Sequence, residues 1–270
     1  MTDWALRVRE LTKHYPRRNH RSRSENTTPA ALVAARDITF DLHRGEALGL
    51  VGASGSGKSS VLKCIAGLHP ATSGHAYLRS LDDGTRDVLT LTPPQRRALH
   101  RGHLAIVHQN PADGVRLELT AGANVARPLL AAGARNFTAI RHEVADLLDR
   151  VEIPRNRIDD KTGTFSGGMR QRVQLAAAIA SKPRILLLDE PTTGLDASAA
   201  AAVLDVIADL LTELAVSTLV VSHDFSVIEL LCARTLVMKD GIIIENALTD
   251  QLLEDPQHPY SQELVAAARG

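Results

Sequence analysis

Four short apolar runs in this chain stop abruptly at polar residues. Residues 47–51 run into Gly52, 104–107 into His108 and Gln109, 185–188 into Asp189 and Glu190, and 218–221 into Ser222 and His223. Such runs, apolar without alternation, are the pattern of strands covered on both faces. Helical spacing between them supplies the covers: Val61, Leu62, Ile65, Ala66 and Leu68 fall on one helix face, as do Ile140, Val144, Leu147, Leu148 and Val151. Alanine-rich helices are predicted over 169–181 and about 197–214. Strands joined by helices predict an α/β fold with a mostly parallel core sheet. Ligands of such sheets bind beyond the carboxyl ends of the strands, so the four polar ends are expected to converge.

Elsewhere the pattern alternates. Residues 5–15, and the stretch holding Leu32, Val33, Ile38, Phe40 and Leu42, read as strands. Residues 74–91, with an Asp-Asp-Gly turn at 82–84, read as short strands and a hairpin. Thr92 followed by two prolines starts a helix. Residues of about 112–180 are mostly helical in pattern, broken at Pro154 and at a glycine-bearing turn over 162–168. Residues of about 16–30 carry Arg17, Arg18, Arg21 and Arg23 without apolar periodicity, and read as a flexible basic surface insertion. No aromatics interleave those arginines, as they would in a site for single strands. After the 242–244 run the tail holds a polar end with Asp255-Pro-Gln-His-Pro-Tyr260, and one domain is expected over 1–270.

The chemistry begins at the first apolar run. Gly52, Ala53, Ser54, Gly55, Ser56, Gly57, Lys58 and Ser59 fit G-x-x-x-x-G-K-[ST], with a strand before and a helix after. The glycines let successive backbone N–H groups turn toward one point, and the helix N-terminus adds its own. Lys58 is expected to reach the β- and γ-phosphates of a nucleotide, and the Ser59 hydroxyl to hold Mg²⁺. Asp189 ends an apolar run and suits a second Mg²⁺ ligand, while Glu190 beside it suits the carboxylate that orients an attacking water. Gln109 is a candidate bridge between water, metal and a neighbouring segment, and His223 a candidate γ-phosphate contact. Either is also compatible with an ordinary polar strand end. Ser166, Gly167 and Gly168 open a helix and offer a second anion cradle, which makes sense if it completes the site of another copy; as a lone motif they are equally compatible with a plain helix cap.

Composition narrows the partners. Lys plus Arg and Asp plus Glu stand at 31 each in 270 residues, so charge gives no argument for nucleic acid or lipid. No apolar run approaches the roughly 18 residues of a membrane span, and the charged start lacks a signal-peptide core, so a cytoplasmic protein is expected. Cys64 and Cys232, far apart in apolar stretches, read as buried thiols. Two cysteines do not supply the thiolates usual for an iron–sulfur cluster.

Together these motifs resemble an ATP-binding-cassette (ABC) ATPase over nearly the whole chain. The resemblance implies an antiparallel β subdomain, a helical signature subdomain and ATP with Mg²⁺. It assigns Tyr15 to adenine, 52–59 with Ser60 to phosphate, Gln109 to the Q-loop and metal, and 165–169 to the signature. Asp189 and Glu190 become the Walker B pair, Asp196 the D-loop residue and His223 the switch. Position alone would leave Tyr15 an ordinary strand-end tyrosine. A head-to-tail dimer is implied, with ATP between one copy's P-loop and the other's Ser166-Gly167-Gly168. Phe165-Ser-Gly-Gly-Met169 departs from the usual signature at Met169, which lacks an amide.

Within ABC ATPases the chain is similar to the ATP-binding subunits of carbon–phosphorus lyase systems for phosphonate use. The similar stretches are 107–116, 131–135, 151–160 and 165–169. That likeness implies a non-transporting cassette on a soluble lyase core, with a second ABC-type subunit as a further candidate partner. It does not extend to the 16–30 insertion. Peptide importers share the His258-Pro-Tyr260 tail, so the energising subunit of a peptide or nickel importer is the alternative. A nucleotide-gated assembly module that needs little hydrolysis is a third reading.

Overall fold

The computed structural model describes residues 3–16 and 32–269; apart from Pro16, the predicted basic insertion lies outside them. The first elements in chain order are β1 (Trp4–Tyr15), β2 (Leu32–His43), β3 (Ala47–Val51), α1 (Lys58–Ile65), β4 (Ser73–Leu78), α2 (Pro93–Leu99) and β5 (Leu104–Val107). A helical stretch follows: α3 (Pro111–Gly114), α4 (Ala121–Ala131), α5 (Phe137–Arg150) and α6 (Gly167–Ala180). The chain continues through β6 (Ile185–Asp189), α7 (Ala197–Leu214), β7 (Ser217–Val221), α8 (Phe225–Leu231), β8 (Arg234–Lys239) and β9 (Ile242–Leu248). It closes with α9 (Thr249–Glu254) and α10 (Pro259–Arg269).

The four apolar runs are β3, β5, β6 and β7, and all are parallel in a six-stranded sheet ordered β5-β6-β7-β3-β8-β9. Only β9 runs antiparallel there, against β8. Alternate side chains of β6 explain the continuous apolar letters. Leu186 and Leu188 enter a core shared with α4–α7, whereas Ile185 and Leu187 enter a second core with α1 and the antiparallel sheet. Each such side chain contributes roughly 1.5–3 kcal/mol by leaving water. That second sheet, β2-β1-β4, covers the opposite face from the helices.

The expected hairpin over 74–91 does not form. β4 is followed by two 3₁₀ turns, Asp82–Gly84 and Val88–Thr90, with one isolated bridge between Tyr77 and Asp87. The Asp87 carboxylate is the reason. It accepts from the backbone N–H of Ala76 and of Leu89, both at 3.0 Å, and meets His75 Nδ1 at 2.8 Å. A side chain thus takes the bond a second strand would have made. Beyond β9 the chain forms two helices that the pattern did not predict, α9 and α10, whose Leu252, Leu253 and Val265 are buried.

Candidate active site

Because β3, β5, β6 and β7 are parallel and adjacent, their carboxyl ends share one edge, and the polar residues that follow them gather there. The P-loop leaves β3 and is held from several sides. Gly57 caps α1 with φ +106°, and a Cβ on it would fall 1.8 Å from Ala34 O, so β2 passes only over a glycine. Gly241, in the β8–β9 turn, donates its N–H to Ser56 O at 3.1 Å. Ala53 N–H donates to the Tyr260 hydroxyl of α10 at 3.1 Å, and Lys239 Nζ lies 4.5 Å from the Tyr260 ring centre.

Lys58 is nearly buried. Its ammonium donates to Gly52 O (2.7 Å), Ala53 O (3.0 Å) and Ser56 Oγ (3.4 Å). Burial pulls it below the usual lysine value, and the Glu190 and Asp189 carboxylates pull it part of the way back. Ser59 Oγ donates to Asp189 Oδ1 at 2.7 Å. A hydroxyl beside a carboxylate is a hard-oxygen pair, suited to Mg²⁺ that completes its shell with phosphate and water. Among the described residues no cluster of three or more His, Cys, Asp or Glu could form an all-protein metal cage.

Glu190 follows β6 with φ +50°, and its N–H donates to Val221 O at 2.9 Å. The residue is 9% exposed. His223 Nδ1 donates to Glu190 Oε2 at 2.6 Å and Thr193 Oγ1 donates to the same oxygen at 3.2 Å. The ring is thereby oriented with Nε2 pointing away from the carboxylate.

A cleft of about 340 Å³ brings together Tyr15, Ser54, Gly55, Gly57, Lys58, Ser59, Ser60, Gln109 and Glu190. Gly52, Ala53 and Ser56 form the base of the loop, Asp189 stands behind Ser59, and His223 is reached through Glu190. At one end Tyr15 shares a 2.7 Å hydrogen bond with His69 Nδ1, and Lys13 Nζ lies 4.6 Å from its ring centre. Burial, with Lys63 and Lys13 nearby, pulls His69 below the usual histidine value. Leu32 and Val33, 62% and 42% exposed, form an apolar wall of the same cleft.

Ser166, Gly167, Gly168 and Asp196 do not line this cleft. Ser166 Oγ caps α6 by accepting from Met169 N–H at 3.3 Å, and Asp196 Oδ1 caps α7 by accepting from Ala199 N–H at 2.9 Å. Ser166 and Gly167 are exposed. Met169 has a partner other than the usual amide's: Arg157 Nη1 lies 3.5 Å from its sulfur while the guanidinium stacks 4.5 Å from the Phe165 ring centre. The 151–160 stretch therefore braces the signature. Cys64 and Cys232 are unpaired and buried, and burial pushes their thiols up to about 11 and about 12. Neither is a nucleophile at neutral pH.

Leu32, Val33, Thr193 and Tyr260 are contacts that pattern alone did not single out. The His-Pro-Tyr tail was the available signal for Tyr260.

The family model for the ABC transporter matches residues 35–193. PhnK of Escherichia coli K12, named as an ATP-binding protein of phosphonates utilization, is 44% identical over 231 residues, covering 86% of this chain and 90% of PhnK. DppF of the same strain, a dipeptide transport ATP-binding protein, is 33% identical over 263 residues, covering 97% of this chain and 75% of DppF. Among solved structures, the ATP-binding cassette MJ0796, a dimer in a post-hydrolysis state with ADP and Pi, superposes with a TM-score of 0.77 at 26% identity, covering 90% of this chain and 98% of that one. With a matching model across more than half its length and a cassette fold around the P-loop, the chain belongs to the ABC transporter family, as one of its ATP-hydrolysing domains.

Proposed function

We propose that this chain is the ATPase subunit of a carbon–phosphorus lyase system for phosphonate breakdown, working as one cassette domain on a soluble cytoplasmic core. The observation that carries the reading is the 44% identity to PhnK over 86% of the chain. The stretches 107–116, 131–135, 151–160 and 165–169 add to it. The chain itself does not cleave the C–P bond, and its two buried thiols offer no cluster ligands.

In the proposed mechanism water attacks the γ-phosphate in line. Tyr15, with Leu32 and Val33, receives the adenine. The backbone N–H groups of 54–60 cradle the phosphates, and Lys58 neutralises their charge. Mg²⁺, held by Ser59 and Asp189 and approached by Gln109, would supply further charge neutralisation on the phosphate oxygens. Glu190 orients the water, and His223 and Thr193 keep its carboxylate aimed. His223 Nε2 contacts the γ-phosphate and Gln109 senses it. Ser166, Gly167 and Gly168 act on the nucleotide of a second copy, with Asp196 at the same junction. The dimeric MJ0796 supports self-dimerisation.

An importer role is the second reading, favoured by 33% identity to DppF over 97% of the chain. Among the described residues no helix is long and apolar enough to cross a membrane, so an importer would need separate membrane subunits. The two readings separate by what co-purifies with tagged Glu190→Gln protein in ATP and Mg²⁺, a substitution expected to trap the closed dimer. Soluble lyase subunits, with a second ABC-type subunit among them, are expected. A polytopic membrane protein in their place would mean an importer.

A further inference from the structure

Residues 109–115 carry Gln109 from the end of β5 toward α4, and a buried side-chain amide grips each foot of the segment. At the first foot stands Gln174 of α6, 2% exposed. Its Oε1 accepts from His108 N–H at 2.8 Å, and its Nε2 donates to His108 O at 3.1 Å. At the second stands Asn124 of α4, 1% exposed. Its Oδ1 accepts from Arg116 N–H at 2.8 Å, and its Nδ2 donates to Arg116 O at 2.9 Å. Each amide pairs with the main chain as a neighbouring strand would. Each is tied in turn to its own subdomain, Gln174 to Gln171 Oε1 (3.1 Å) and Asn124 to Thr162 Oγ1 (2.9 Å).

A buried amide in an alanine-rich helix is costly unless both of its halves are bonded, and here both are. The backbone between the clamps is shaped to admit one of them: a Cβ on Gly114 would fall 2.0 Å from Gln174 Oε1. The carbonyl that Gln174 holds belongs to the peptide plane joining His108 to Gln109. Fixing it fixes where the Gln109 N and Cα lie, the atoms from which its side chain is carried. Gln109 lines the nucleotide cleft, while Asn110, Ala112 and Asp113 face solvent.

We propose that Gln174 is the positioning residue that sets Gln109 in the nucleotide cleft and locks it to α6, the helix opened by the signature, with Asn124 holding the far end of the same segment. The inference rests on Gln109 sensing the γ-phosphate and holds whichever partner binds. Displacement of 110–114 by a partner is carried into α6 through the His108 bonds, and displacement of α6 is carried to Gln109 by the same route.

A kinetic cycle on the full chain tests this. Gln174→Met keeps the side-chain length and removes both hydrogen bonds. Gln109→Ala and Gln174→Met are each expected to lower kcat for ATP about tenfold with KM within about twofold, and the double variant to be no slower than Gln109→Ala alone. A merely structural glutamine would give multiplicative losses. Gln109→Ala at wild-type kcat would remove the reading of Gln109 itself. Gln109→Ala slow, with Gln174→Met at wild-type kcat or with losses that multiply, would overturn the clamp. If Gln174→Met does not fold, Gly114→Ala takes its place in the cycle, because it displaces the Gln174 amide without removing it. The same outcomes then decide.

Discussion

Glu190 holds a backbone conformation that L-residues rarely adopt, φ +50° at the end of β6, and such a position costs roughly 1–3 kcal/mol. In return its carboxylate lies 2.6 Å from His223 and 3.2 Å from Thr193. If His223 acts by aiming that carboxylate and touching phosphate, His223→Ala lowers kcat about a hundredfold with little change in ATP affinity, and adds nothing in a Glu190→Gln background. Single-turnover rates beside nucleotide titrations check it; a full further loss in the double variant would mean the two residues act apart. Asp189 and Glu190 were legible in the sequence because a strand buried on both faces has no polar letters until it ends. Gln174, Asn124 and Tyr260 were not. A polar letter within a helix does not say which distant backbone group it bonds, and Ala53 lies 207 positions from Tyr260.

Elements were legible where burial dictates the pattern and illegible where a side chain replaces backbone pairing. β3, β5, β6 and β7 fall where unbroken apolar runs predict them, but residues 79–91 turn instead of pairing because Asp87 satisfies Ala76 and Leu89. α10 was missed because its one deeply buried apolar residue, Val265, gives almost no periodicity, and its tie to the P-loop is a hydroxyl. The close passage of β2 over the P-loop was invisible too, since Gly57 already had a reason to be glycine. Two glycines with the same φ of +106° isolate that passage. Gly133 has nothing within 4 Å of an added Cβ, whereas at Gly57 the Ala34 carbonyl lies 1.8 Å away. Gly133→Ala therefore carries only the backbone strain, about 1 kcal/mol, with ATP binding intact. Gly57→Ala is expected to lose about 2 kcal/mol or more and to abolish ATP binding. Urea midpoints and nucleotide titration of the pair measure both, and equal effects would mean that β2 yields.

At the scale of the whole molecule, the signature lies outside its own chain's nucleotide cleft. Ser166 and Gly167 are exposed at the start of α6, where unpaired N–H groups and the helix dipole favour an anion. The cleft holding Lys58 and Glu190 has Tyr15 at one end and no signature residue in its lining. If, as proposed, each surface completes the site of a second copy, one two-fold axis suffices: the same operation that brings one signature to one P-loop brings the other pair together. ATP would then be part of the interface, and the dimer would last only as long as the γ-phosphate does. Glu190→Gln, expected to slow hydrolysis, should run at dimer mass with ATP and Mg²⁺ and at monomer mass with ADP. Adding Ser166→Arg, which fills the second cradle with a charged side chain, should return the protein to monomer mass in ATP. It should leave ATP affinity of the separate chain unchanged, because Ser166 does not line its own chain's cleft. Light scattering coupled to chromatography reads the mass, and a fluorescent ATP analogue reads the affinity. If Ser166→Arg weakened ATP binding to the monomer, the cradle would belong to its own chain's site; if the dimer survived the arginine, the interface would lie elsewhere.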